Sequence, residues 1–550
     1  MYGLKHFFSF RTLSPYEKIV SFFLLIAFLI SLYIYLFDLS LKYSKRLPAR
    51  GGQLTELIDS PARFINPVFA SSDTDLDITE LVYSGLLRSD GQGGLRLELA
   101  ESYQISDDAK EYTFKIRDKA VFQDGRPVTA KDVKFTIDLI QNPLLKSPRF
   151  ADWLDVKVEI VDDKTIKFIL PKPYSMFLEN LSIGILPEHI WSHISTDEMQ
   201  FSIFNENAIG AGPYKVEEII KTDSGIPAEY ILVANGKYIF GKPHIKRIKF
   251  KILKDDNEKI KYLNNDKYTS VAALPYTTLN ELDTNMHTIY TLKYPRVFAL
   301  FLNKDKNNLF VDFAVRDAID NAIDKKGIVD HIFKGYADVL CGPVPRTCKY
   351  ERKNPKEIMQ KAGWKINKEG IWEKKGKKAE FSLAYPSEGE LKDIAFKIQS
   401  DLQKSGFKVN LHSYKVDEII KIIRDRDFDA VLFGQSLGRA NDLYAFWHSS
   451  QKDDPGLNIV SYANKKVDKW SKDLRKTKNK GEREELMNKI YSEVSKEKPA
   501  IFLYSPHYVY VLPKNMKGFD YKFIAEPYER FDSVHRWFYQ TQQVWNFLVK

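Results

Sequence analysis

Nineteen consecutive uncharged residues, IVSFFLLIAFLISLYIYLF from Ile19 to Phe37, constrain this chain more than any other feature. At about 1.5 Å per residue, a helix of that length crosses a hydrocarbon core of roughly 30 Å. A cleaved secretory signal has a shorter apolar stretch, roughly 7–15 residues, and ends on a small-x-small site. Here the run continues as DLSLKYSKRLPAR from Asp38 to Arg50, with no such site and no cysteine to carry a lipid. The sequence therefore predicts an uncleaved membrane anchor. Its flanks do not orient it, since Lys5, Arg11 and Lys18 on one side face Lys42, Lys45, Arg46 and Arg50 on the other.

The anchor region also explains much of the charge. The 550 residues carry a formal +10, and residues 1–50 hold half of it. The remainder mixes both signs, which argues against a nucleic-acid footprint and for a solvated surface. A 44% hydrophobic composition excludes a disordered chain, and the length fits about two to four folded units. The only cysteines, Cys341 and Cys348, lie in CGPVPRTC, where Gly342, Pro343 and Pro345 bend the chain. Either they close a short disulfide in an oxidising compartment or they are two thiols. A structural zinc needs two further ligands that this segment lacks.

Beyond residue 50, strand and helix patterns alternate without a long linker. A hairpin-like unit is legible at Tyr112-Thr-Phe114-Lys-Ile116, which alternates with period two, followed by Val121, Phe122 and the turn Asp124-Gly125. Thr129-Ala-Lys-Asp132 predicts a capping box opening a helix through about Ile140. Further strands are expected at 165–170, 230–233, 245–252, 298–302, 381–385 and 429–433. A helix with Val311, Ala314, Val315, Ala318, Ile319, Ala322 and Ile323 on one face follows from i, i+3, i+4 spacing. The charged stretch from Lys465 to Lys496 predicts one solvated surface helix. The mixture indicates α/β lobes.

Several motifs occur together in one order: Glu80-Leu-Val-Tyr-Ser-Gly-Leu-Leu87, Leu99-Ala-Glu-Ser-Tyr103, Phe122-Gln-Asp-Gly-Arg-Pro-Val-Thr-Ala-Lys-Asp-Val133, Gly210-Ala-Gly-Pro-Tyr214, Gly241-Lys-Pro243, Val315-Arg-Asp-Ala-Ile-Asp-Asn-Ala-Ile-Asp324 and Pro499-Ala-Ile-Phe-Leu-Tyr504. Over roughly residues 52–520 the chain resembles the extracellular solute-binding proteins of the peptide/nickel class, which serve ABC importers. The resemblance implies a two-lobed, periplasmic-binding-protein-like (class II) α/β fold with an inserted subdomain, here joined to one N-terminal transmembrane helix. It implies lobe I from 51–85, 211–295 and 504–550, the inserted subdomain at 86–210, and lobe II at 296–503. Residues 1–18 are then cytoplasmic, 19–37 the anchor, 38–50 a tether, and the large domain extracytoplasmic. The expected ligand is an oligopeptide or similar polar solute, held by a monomer that hands it to permease and ATPase subunits and needs no cofactor. A sensor or adaptor on the same fold is the alternative.

An enzymatic reading competes at Gly434-Gln-Ser-Leu-Gly438, a G-x-S-x-G after an apolar strand. Ser436 would be the nucleophile of a hydrolase, with Asp442 or Asp468 and His507 or His535 to complete a triad. The following Arg439-Ala-Asn-Asp-Leu-Tyr-Ala-Phe-Trp-His448 is unlike the small-residue helix such an elbow needs. His189 and His193 share a helical face but make no metal site alone, and there is no phosphate loop or G-x-G-x-x-G.

By resemblance, the ligand-facing residues are Ser71, Ser72, Asp73, Tyr294, Phe298, Gln435, Ser436, Arg439, Asn441, Asp442 and Trp447. In peptide-binding relatives a loop here supplies a carboxylate to the ligand's ammonium, about three residues before an Asp-Pro pair. Asp442 matches the aspartate of that pair, followed by Leu443, so Arg439 stands where the clamping acid would be. The expectation is a reversed charge that suits an anion. The alternatives are that Arg439 pairs with Asp442, or that Asp442 is itself the clamp.

Overall fold

The computed structural model describes residues 14–174, 176–439 and 441–545. Two compact units are present, and the larger is Gly52–Trp537. The smaller, Met1–Gly51 with Phe538–Lys550, contains the helix Pro15–Tyr43, within which Pro15–Leu39 is long and apolar enough to cross a membrane. Ser14 caps it: its hydroxyl accepts from the Glu17 N–H, and the Glu17 carboxylate accepts the Ser14 N–H at 2.8 Å. Most of the expected cytoplasmic segment, residues 1–13, lies outside the described residues.

The segment expected as a tether, 38–50, carries regular structure. The helix runs on to Tyr43, and Ser44–Pro48 pairs antiparallel with Thr541–Trp545 as a two-stranded ribbon. The C-terminal strand therefore belongs with the anchor unit rather than with the body expected for 504–550. Sequence patterning missed this because both strands are short, and a ribbon of two such strands has no apolar face to read.

Within Gly52–Trp537, seven strands form one sheet in the spatial order 287–292, 508–513, 269–272, 53–58, 247–252, 227–234, 214–221. Its centre is parallel, Gln53–Ile58 pairing with Arg247–Ile252 and Thr269–Ala272. Such a strand is covered on both faces, and Leu54 through Ile58 are all buried, Thr55 and Glu56 included. A six-stranded sheet has the order 337–339, 500–506, 296–302, 430–436, 380–386, 408–414. Its strand Arg296–Leu302 shows why: Leu300 and Leu302 pack with the helices Phe313–Ala322 and Glu390–Lys404, while Val297, Ala299 and Phe301 enter the core on the opposite face. Period-two alternation thus buries both sides.

A third, four-stranded antiparallel sheet has the order 100–105, 111–116, 165–169, 157–162. Tyr112, Phe114 and Ile116 are its buried face, as the period-two reading anticipates. The hairpin partner differs from the expected one: Glu111–Ile116 pairs with Ala100–Ile105 and Thr165–Ile169, while Val121 only bridges Pro127 around the Asp124-Gly125 turn. The helix Ala130–Ile140 starts where expected, with the Asp132 carboxylate accepting the Thr129 N–H at 2.8 Å and its hydroxyl at 2.7 Å.

Two other expectations change. The helix Phe313–Ala322 begins after Val311, which is 59% exposed, because Asp312 caps it by accepting the Ala314 N–H. The single helix expected at 465–496 is two, Lys465–Lys476 and Lys480–Glu497, restarted by Asn479, whose side chain accepts the Gly481 and Glu482 N–H groups. It is not merely solvated either, since Val467, Leu474, Leu486, Ile490 and Val494 pack into the core.

The chain passes between the two larger sheets at two places. Residues 293–295 join His287–Leu292 to Arg296–Leu302, and His507 joins Ala500–Pro506 to Tyr508–Pro513. The crossings lie side by side, tied by the Ser505 hydroxyl donating to the Tyr294 carbonyl at 3.2 Å. Two short adjacent connections leave few torsions through which the halves can move, which is the anatomy of a hinge.

Candidate ligand-binding site

Beside these crossings lies a cavity of about 440 Å³. Four parts of the chain wall it. Pro67, Leu76 and Glu80 come from the region around the helix Asp73–Val82, and Ala525, Glu526, Tyr528 and Glu529 from the C-terminal segment. Arg149, Trp153 and Tyr174 come from beside the four-stranded sheet, and Ser436 through Arg439, with Asp442, from the loop ending Ala430–Ser436.

The candidate residues separate cleanly. Ser436, Arg439 and Asp442 line this cavity, while Tyr294 and Asn441 line a smaller one of about 310 Å³ at the crossings, with Lys293, Arg346 and His507. Ser71 and Ser72 do not reach either: Ser72 caps the helix by accepting the Asp75 N–H, and Asp75 accepts both serine N–H groups at 3.3 Å. Asp73, the first residue of that helix, is exposed outside both linings. Phe298 stacks on Tyr504 with centroids 4.8 Å apart and packs against the core, and Gln435 is buried in the strand. Trp447 is wholly buried against Tyr462 and Phe502. Large aromatics serve a core as readily as a cavity wall, and nothing in their spacing tells the two uses apart.

Arg439 does not pair with Asp442. Its Nη2 meets Glu529 Oε1 at 2.6 Å, with the arginine side chain only 7% exposed. Burial works against the guanidinium charge, yet Glu529 holds its pKa above the ordinary arginine value. Asp442 is engaged elsewhere, accepting from Nε of Arg475 at 3.1 Å and from the Tyr444 N–H at 3.1 Å. Arg475 in turn lies 4.0 Å from the Tyr444 ring centroid and 5.2 Å from that of Tyr174. The reversed charge expected at Arg439 is therefore largely compensated from within.

The wall formed by Glu526, Tyr528 and Glu529 is fixed from behind by Arg530. That guanidinium contacts both oxygens of Asp77, at 2.6 and 2.5 Å, and Glu56 at 3.0 Å. Glu56 also accepts the Tyr510 hydroxyl at 2.9 Å. Two carboxylates on one buried cation leave one under-compensated, and burial pushes the Asp77 pKa up to about 6 although Arg530 opposes the shift. The sequence signal for this wall is the run Glu526-Pro-Tyr-Glu-Arg530, dense in charge and aromatic surface but outside any periodic pattern.

The geometry does not support a triad at Ser436. Ser436 is the last residue of a strand, paired with Arg296, rather than the apex of a strained turn. Among the described residues no histidine hydrogen-bonds to it: His507 lines the other cavity and meets Asp338 at 2.9 Å, and His535 packs on Tyr238 and Phe240. Asp468 instead accepts from Ser449. His189 meets Asp124 at 2.7 Å, and no metal-ligand cluster occurs among the described residues.

A sequence profile of bacterial extracellular solute-binding proteins, family 5 (Middle), matches residues 94–456. The oligopeptide-binding protein AppA of Bacillus subtilis is 30% identical over 507 residues, covering 88% of this chain and 91% of its own. The probable D,D-dipeptide-binding periplasmic protein DdpA of Escherichia coli is 28% identical, covering 83% and 89%. The structure of the Bacillus subtilis protein in complex with a nonapeptide superimposes with a TM-score of 0.69 at 29% identity, over 90% of this chain and 100% of that one. NikZ from Campylobacter jejuni in complex with Ni(L-His) gives 0.69 at 29% identity, over 88% and 99%. With a two-lobed α/β body, two adjacent crossings and a cavity beside them, this chain belongs to the bacterial extracellular solute-binding proteins of family 5.

Proposed function

We propose that this protein is a membrane-tethered extracytoplasmic receptor of an ABC importer, capturing an oligopeptide or similarly sized polar solute between lobes that close about the crossings. The carrying observation is the cavity itself, walled by both sheets' loops next to the hinge. Hinge closure on a solute replaces water with preformed walls and commits the ligand for delivery. Lobe I comprises 51–85, 211–295 and the part of 504–550 before the ribbon, the inserted subdomain 86–210, and lobe II 296–503. The helix Pro15–Tyr43 anchors the body, with the large unit outside, where the Cys341–Cys348 disulfide persists. The receptor acts as a monomer, does no chemistry and needs no cofactor, its partners being the importer's permease and ATPase subunits. Affinity purification of the full chain from membranes tests the assignment. Recovery of two permease subunits and an ATPase is expected, and recovery of a kinase or secretion complex instead would overturn it in favour of a sensor or adaptor.

A further inference from the structure

The unit that carries the apolar helix ends in cations with no acid to answer them. Lys42, Lys45 and Arg46 are all exposed, and none has an ion-pair partner among the described residues. Lys42 lies instead 5.9 Å from the Tyr43 ring centroid. No Asp or Glu occurs from Leu39 to Gly51 or from Phe538 to Lys550, the two stretches that meet in the ribbon. Orientation does not account for these cations. With the large unit outside, they stand on the flank where Lys and Arg are normally scarce.

Their place along the chain fits a bilayer surface. The helix is continuous through Tyr43, so at about 1.5 Å per residue Tyr43 lies about 6 Å beyond Leu39, the end of the apolar span. The headgroup layer is about 5–8 Å deep on each side of the hydrocarbon. Ser44–Pro48 starts at that level, and its register sets Trp545 opposite Ser44. The C-terminal strand thus returns to the depth of Tyr43, where amphipathic aromatic rings sit in a bilayer. Even with its strand running straight outward, Arg46 stays within about 10 Å of the headgroups, about one Debye length at moderate salt. Lys45 and Arg46 are consecutive in the strand, so they point to opposite faces of the ribbon. Cations on both faces suit immersion among headgroups better than one flat protein partner.

We propose that this end of the ribbon docks onto anionic phospholipid headgroups, with Lys42, Lys45 and Arg46 as their countercharges and Tyr43 and Trp545 seated beside them. This rests on the reading of Pro15–Tyr43 as an anchor with the large unit outside. The membrane then holds the chain at two points, the helix before Gly52 and the strand after Trp537.

Fluorescence quenching in nanodiscs holding the full-length chain tests this. Gln543→Cys, exposed and opposite Arg46, carries an environment-sensitive dye, and a trace of phosphatidylcholine with a headgroup nitroxide is the quencher. Nanodiscs of phosphatidylcholine alone are compared with nanodiscs containing about 30% phosphatidylglycerol. Quenching should be about threefold or more greater in the anionic nanodiscs at about 50 mM salt, and the difference should vanish at about 500 mM. The triple variant Lys42→Gln, Lys45→Gln, Arg46→Gln should make the two lipids equivalent. Arg46→Lys alone, which keeps the charge, should leave the difference intact. Equal quenching in the two lipids, a difference that survives the triple variant, or one abolished by Arg46→Lys overturns the proposal. The anchor is tested separately: an anchored chain stays in native membranes through an alkaline carbonate wash whatever the ribbon does, and its release would overturn that reading instead.

Discussion

Replacing Arg530 with alanine should be among the most damaging single changes in the body. Its side chain is 3% exposed and its partners Glu56 and Asp77 are 0% and 5% exposed, so the change strands two carboxylates out of reach of water. Breaking a buried pair by deleting one partner costs about 3–5 kcal/mol, and with two carboxylates on one cation the upper end applies. The sign of the pH dependence follows. Asp77 already titrates near 6 in the fold, against an ordinary value of 3.8. A folded-state value above the unfolded one means the fold binds more protons, so stability rises as pH falls through the folded pKa toward the unfolded one. Without Arg530, which opposes the shift, the folded value of Asp77 climbs further, so the loss should be largest at pH 8 and partly recovered at pH 5. Urea unfolding at both pH values, followed by tryptophan fluorescence, measures it, since Trp537 lies 6.1 Å from Phe531 in this cluster. An unchanged midpoint, or a loss equal at both pH values, would refute the argument. Loss of ligand binding should accompany it, because Arg530 backs the wall of Glu526, Tyr528 and Glu529.

The Cys341–Cys348 bond closes a loop with a sequence separation of 7, worth about 2.5 kcal/mol on the chain-entropy account; alkylation of the unreduced, denatured protein should label neither cysteine, and two labels would exclude the bond. A body starting at Gly52 and ending at Trp537 should be soluble and monomeric, whereas one that keeps Thr541–Trp545 without Ser44–Pro48 should aggregate more, its strand having lost its partner; equal solubility of the two would contradict the pairing. Ser436→Ala should change solute affinity by a few-fold and leave any trace of ester hydrolysis in the preparation unaltered, because no described histidine hydrogen-bonds to Ser436; a serine-dependent esterase activity would reverse that conclusion.

What could be read from the sequence follows from what periodicity reports. Period-two and i, i+4 patterns mark surfaces that face a core, so the strand at 111–116 and the buried face from Val315 to Ala322 were legible. Helix ends are decided by single side chains, Asp312 and Asn479, whose capping competes with a continuous pattern. The Ser44–Pro48 ribbon depends on a partner almost five hundred residues away, which local patterns cannot report. At the site, resemblance points to the 436–442 loop, and Ser436, Arg439 and Asp442 do line the cavity. Nothing in the sequence marks Glu526 and Tyr528, because they sit in an aperiodic segment whose placement comes from the buried Arg530 contacts behind it. Phe298 and Trp447 look like binding aromatics in sequence and are core in the fold.

Native mass spectrometry of the protein, extracted from membranes and purified without denaturation, tests the receptor assignment most directly. A solute that binds only the closed fold stabilises it by RT ln(1 + [L]/Kd), so a tightly held one survives purification. The account predicts a bound polar solute of peptide size, released on unfolding, whose removal lowers the melting temperature and whose return restores it. A chain that carries no solute and whose melting temperature no peptide or small polar solute raises would contradict it.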